Sequence, residues 1–120
     1  MAPTAYRWTY PSEGRRVFVA CESNAKLVVL DLATRRVTDV MKVGDGPDVL
    51  ALDPALHRLY VASESGNLAV FEAGPRVRKP GSGNAGPNAH SVSVDPGTHV
   101  VYLPLTDVSG HPVLRELVPI

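Results

Sequence analysis

Short apolar runs rich in β-branched and aromatic side chains alternate along this chain with polar stretches carrying Gly, Asn, Asp and Pro. That rhythm predicts short strands joined by tight turns. Arg16-Val17-Phe18-Val19-Ala20, Arg58-Leu59-Tyr60-Val61-Ala62 and Val100-Val101-Tyr102-Leu103-Pro104 share one aromatic-aliphatic core, and the aromatic residues stand 42 positions apart each time. Asp53-Pro54 and Asp95-Pro96 are separated by the same 42 residues.

A repeat of this length built from short strands predicts β-propeller blades of the WD40-like kind. In the second unit, Val49–Leu52 reads as the first strand, Asp53–His57 as a turn and Arg58–Ala62 as the second strand. Ser63–Asn67 reads as a hairpin loop and Leu68–Phe71 as the third strand. Arg76–Arg78 begins a fourth strand, and Pro80–Pro87, dense in Gly and Pro, reads as an irregular loop. The first unit follows the same plan, with strands at Val17–Ala20, Leu27–Leu32 and Val37–Val43, and Gly44–Pro47 leads to the second unit. In the third, Ser91–Val94, Val100–Leu103 and Val113–Leu117 read as strands and an outer fourth strand is missing. Tyr6–Tyr10 takes the innermost position of the first unit by its spacing from Asp48–Leu52. The expectation is all-β: about three four-stranded antiparallel blades in an incomplete ring, spanning about 6–44, 48–83 and 89–118. Either the chain is the C-terminal portion of a longer propeller, or it assembles with other copies through its open blade edges.

Composition narrows the partners. Twelve basic residues balance twelve acidic ones, so no positive field draws the chain to nucleic acid. No run approaches the ~20 apolar residues of a membrane span, and no signal peptide is visible, which leaves the location undecided. The one cysteine, Cys21, cannot form an internal disulfide and reads as a small buried thiol. Neither His-x-x-x-His, Cys-x-x-Cys nor Gly-x-Ser-x-Gly occurs, so no metal site, cofactor or serine nucleophile is expected.

The segment Arg58–Phe71, preceded by Gly46-Pro47 and Asp53-Pro54, resembles the YVTN-repeat (YncE-like) β-propellers, as do Val28–Asp31 and Gly44–Pro47. Ala20-Cys21, Ala62-Ser63 and Pro104-Leu105 stand where that family has Thr-Asn. The resemblance implies a ring in which the loops between second and third strands share a face with the segments leading into the innermost strands. On that face it places Asp48, His90, Glu22, Asn24, Glu64 and Asn67, with Ser23 and Ser65. It also implies a periplasmic or extracellular setting for an intact parent.

Three readings of that face stay open: polar loops that recur only because the repeat recurs, a binding surface for a small molecule, peptide or protein, and a lactonase-like or metal-dependent hydrolase. In the hydrolytic reading Glu22, Asp48, Glu64 and Asn67 would hold a hard divalent cation, with His90 as base. The missing catalytic motifs favour binding. His57 reads as a solvated turn residue on the opposite face, and His99 and His111 as turn residues without an acidic partner.

Overall fold

The computed structural model describes residues 5–6 and 16–119. Among them there is no helix. Eleven strands form three antiparallel sheets, flattened into a slab of 48 × 38 × 21 Å. The first sheet holds β1 (Ala5–Tyr6), β2 (Arg16–Cys21), β3 (Lys26–Asp31) and β4 (Arg36–Lys42) in that order. The second holds β5 (Pro47–Asp53), β6 (Arg58–Ser63), β7 (Asn67–Ala73) and β8 (Val77–Asn84). The third, ordered β11-β10-β9, holds β9 (Ser93–Val94), β10 (Val101–Val108) and β11 (His111–Leu117). β1 pairs with β2 as the innermost strand, Tyr6 opposite Ala20; the rest of the expected Tyr6–Tyr10 strand lies outside the described residues.

Burial follows from how the sheets stack. The second sheet is covered on both faces, so all of β6 beyond Arg58 is buried, an unbroken apolar run. β2 and β10 are each covered by a neighbouring sheet on one face only, and their burial alternates. One core joins Phe18, Leu27 and Val29 of the first sheet to Leu59, Val61 and Phe71 of the second. A second core joins Tyr60, Ala62 and Leu68 to Val101, Leu103 and Leu105. Each large side chain buried here contributes roughly 1.5–3 kcal/mol. In the first two sheets the aromatic residue of the 42-residue motif, Phe18 or Tyr60, thus points from its own sheet toward the next.

Two strand assignments differ from the sequence reading. β8 runs through Pro80, Gly81, Ser82 and Gly83, where Gly and Pro predicted a loop. It is an outer strand, and its register jumps from Glu72↔Arg78 to Val70↔Gly81. Pro80 falls inside that bulge, where the ladder asks no N–H of it. β9 keeps only Ser93–Val94 of the expected Ser91–Val94. The second sheet pairs Val49 with Ala62; one repeat on, the same pair is Ser91 and Pro104. Proline has no N–H to give, and the ladder stops short.

Candidate functional site

At the loop end of the sheets, the β6–β7 hairpin bends through Glu64–Gly66. Gly66 N–H donates to Ser63 O at 2.8 Å, with Gly66 at φ 91. This is a three-residue loop closed by a left-handed glycine. Glu64 N–H donates to Gly46 O and Ser65 N–H to Asp45 O, so the loop rides on the segment joining the first two sheets. Gly66 O accepts from Ala85 N–H, tying the same loop to the next connector. The two connectors are copies: Gly46 and Asn88, one repeat apart, both adopt positive φ (68 and 53).

That geometry locates the expected residues. Asp48 sits in the bulge between Pro47 and Val49, at the start of the innermost strand β5. His90, its counterpart one repeat on, precedes β9 and has Nδ1 at 3.1 Å from Asn88 Oδ1. β5 contacts β9, so these two half-buried residues stand where the chain enters adjoining inner strands. Glu64 lies over Gly46: a Cβ there would stand 3.3 Å from the Glu64 carboxylate. Glu22 occupies the matching place in the first sheet, at the foot of the loop Glu22–Ala25, whose tip Ser23–Asn24 is exposed.

Asn24 and Asn67 do not match. The first loop has one residue more, so Ala20 pairs with Leu27 while Ala62 pairs with Leu68. Asn67 is therefore the first residue of β7, and its Oδ1 is buried against the connector; Ser63 Oγ is buried close by in the chain, and neither has a partner among the described residues. Asn24 remains exposed at the loop tip. Among the described residues no three His, Cys, Asp or Glu side chains group as a metal site would need.

Charge is divided between the two ends of the slab. Glu22, Asp45, Asp48, Glu64 and Asp107 stand at the loop end, with Lys26 at the start of β3 and Lys42 at the end of the outer strand β4. Arg16, Arg35, Arg36, Arg58, Arg76 and Arg78 stand at the opposite end together with Asp31, Asp53, Glu72 and Asp95. The loop end thus carries more acidic than basic side chains, while the opposite end mixes both signs.

The opposite end also holds a pair that sequence reasoning missed. Asp53, 0% exposed, accepts from Ala55 and Leu56 N–H through Oδ1, and its Oδ2 lies 2.6 Å from His99 Nδ1. His99 therefore does have an acidic partner, supplied by the neighbouring sheet. Arg16 spans the other junction, donating to the Ala73 and Gly74 carbonyls at 2.7 Å each. Both contacts pin sheets together.

Cys21 is free, and burial pushes its thiol up. It is expected to label slowly with a thiol-reactive disulfide at pH 7 and faster as the pH rises, because only the thiolate attacks. Rapid stoichiometric labelling of the folded chain at pH 7 would contradict the buried placement.

No family model matches the chain, and no curated protein matches it. Solved structures do. Hydrazine synthase from Kuenenia stuttgartiensis aligns with a TM-score of 0.67 and 19% identity, over 84% of this chain and 28% of that one. A 6-phosphogluconolactonase-like protein from Bacteroides fragilis aligns at 0.68 and 15%, over 98% and 39%. The dihydro-heme d1 dehydrogenase NirN aligns at 0.67 and 21%, over 96% and 28%. This chain spans well under half the length of each of these β-propeller proteins. At such identities the likeness bears on architecture alone: the chain has a β-propeller-like fold of three antiparallel sheets that do not close into a ring.

Proposed function

We propose that the chain is a non-catalytic recognition module of the YVTN-repeat (YncE-like) type, whose acidic loop end takes a cationic ligand, either a basic peptide or protein segment or a polyamine-like small molecule. The observation that carries this reading is the backbone clamp of the β6–β7 loop onto both connectors, which fixes Glu64 beside Asp45 at the same end as Asp48. Carboxylates held on a rigid support favour an oppositely charged partner without an ordering cost at binding. The family assignment rests on the 42-residue motif and on the paired connectors at Gly44–Pro47 and Gly86–Ala89.

Calorimetric titration with a pentalysine peptide tests the reading. Binding should weaken at least fivefold in Glu64→Gln and in Asp48→Asn, and should weaken as salt rises. No binding of pentalysine or spermine, or binding indifferent to both substitutions, would overturn it. The hydrolytic alternative predicts a different result: a higher melting temperature on adding Ca²⁺, Zn²⁺ or Mn²⁺, together with turnover of a lactone.

A further inference from the structure

The molecule builds one kind of junction twice, and only one copy is filled. In the first, the back of the first sheet meets the front of the second; in the other, the back of the second sheet meets the front of the third. The registers give the equivalent positions. Phe18 pairs with Val29 and Ala20 with Leu27, as Tyr60 pairs with Val70 and Ala62 with Leu68. One strand further out, Val29 pairs with Asp39 and Leu27 with Met41, whereas Val70 pairs with Gly81 and Leu68 with Gly83.

The side chains that close the outer half of the first junction are therefore lost or reduced in the second. Met41 packs on the first core. Gly83 and Gly81, in the places of Met41 and Asp39, bring no side chain, and a Cβ on either would meet nothing within 4 Å. Phe71, opposite Leu59, is 0% exposed; its counterpart Leu117, opposite Val101, is 38% exposed. Val29 is fully buried, but Val70 only half-buried. What remains is a groove of about 370 Å³ with Leu68 and Val70 as its floor and Leu117, Gly81 and Gly83 in its walls. That volume lies within the range of small-molecule sites.

One charged side chain lines the groove, Arg115. It stands where the first junction has Ala69: Leu103 pairs with Arg115 as Val61 pairs with Ala69. Nη1 donates to Ala85 O at 2.7 Å, which holds the guanidinium in place. Its Nε and Nη2, the edge that matches a carboxylate, have no partner among the described residues, and no Asp or Glu lines the groove. Glu116, the next residue, projects to the other face of the sheet. A half-buried cation without a counter-charge, set beside an apolar floor, favours an anion that brings apolar surface with it.

We infer that this groove is a ligand site for a small amphipathic carboxylate, an alkyl or aryl acid whose carboxylate meets Arg115 and whose apolar body lies on Leu68, Val70 and Leu117. The site shares no side chain with the acidic loop end and does not depend on the cationic ligand proposed there.

Amide NMR titrations with octanoate and with 2-naphthoate test the inference. Either acid should shift the Gly81, Gly83 and Leu117 amides and the Arg115 Nε–H resonance, saturably and at millimolar concentration or below. Gly83→Met puts into the groove the side chain that fills the first junction. It should weaken both acids roughly tenfold or more without lowering the melting temperature, and should leave the pentalysine titration as it is in the parent. Arg115→Gln keeps a donor for Ala85 O; it should weaken octanoate roughly tenfold and leave binding of neutral octanol unchanged. No saturable shift with either acid would overturn the inference. So would octanoate binding that Gly83→Met leaves intact, since the acid would then lie on another apolar surface. Equal loss of octanol and octanoate in Arg115→Gln would also overturn it, because Arg115 would then only hold the wall of the groove in place.

Discussion

Replacing Asp53 with alanine should lower the unfolding free energy by about 3 kcal/mol, which for a domain of this size moves the melting temperature by roughly 10 °C. The side chain is fully buried and engages three donors: Ala55 and Leu56 N–H through one oxygen and His99 Nδ1 through the other. The first two hold the turn between β5 and β6; the third crosses to the next sheet. Truncation leaves an imidazole nitrogen without its acceptor in a half-buried junction and lets the turn loosen, and unpaired polar groups cost about 1–3 kcal/mol each. Asp53→Asn should be milder, since an amide oxygen can still accept from the turn. His99→Ala should cost less than Asp53→Ala, because His99 is 29% exposed and its removal spares the turn. The Asp53/His99 double-mutant cycle should return a coupling of about 1–3 kcal/mol. A loss below about 1 kcal/mol for Asp53→Ala, or a coupling near zero, would mean that this contact does not join the sheets.

The same pair shows where sequence reasoning reached and where it stopped. Most strand positions, the turn at Asp53–His57 and the shared role of Phe18 and Tyr60 were legible, because each is a local pattern repeated at one spacing. The partner of His99 was not, because it lies 46 residues back in another sheet. The signal was nevertheless present: His57 follows Asp53 by four residues, and His99 follows it by four plus one repeat. A propeller-like stack sets equivalent turns of adjacent sheets side by side, so the second histidine meets the first aspartate.

The candidate site was legible to a similar degree. Glu22 and Glu64 hold equivalent places, but the one-residue difference between their loops moves Asn67 out of the tip and into β7. Counting from the aromatic motif could not reveal this slip, because the β3–β4 and β7–β8 segments restore the register before the next unit: Val28 pairs with Val40 and Ala69 with Ser82. The strand through Pro80–Gly83 was misread for a different reason. Composition describes what a residue prefers, whereas an outer strand with one free edge and a bulge asks little of it.

Gly66→Ala should be the most damaging conservative substitution at the loop end, at about 2–4 kcal/mol. Gly66 has φ 91, a conformation that charges an L side chain roughly 1–2 kcal/mol. Its added methyl would also collide with the Gly86 carbonyl oxygen, a backbone atom with no freedom to swing aside. Relief requires the hairpin to lift from the connector, breaking the bond from Ala85 N–H to Gly66 O at 2.8 Å. Gly81→Ala and Gly83→Ala are the internal controls: neither Cβ meets anything within 4 Å, so each should stay within about 0.5 kcal/mol of the parent. Urea unfolding measures the three free energies, and amide hydrogen exchange locates the damage. In Gly66→Ala the Ala85 N–H should lose its protection while the β2–β3 ladder keeps its own. Because the same clamp fixes Glu64 beside Asp45, pentalysine binding should weaken with it. Intact Ala85 protection in a Gly66→Ala protein as stable as the parent would show that the hairpin does not bear on the connector, and that the acidic rim has some other support.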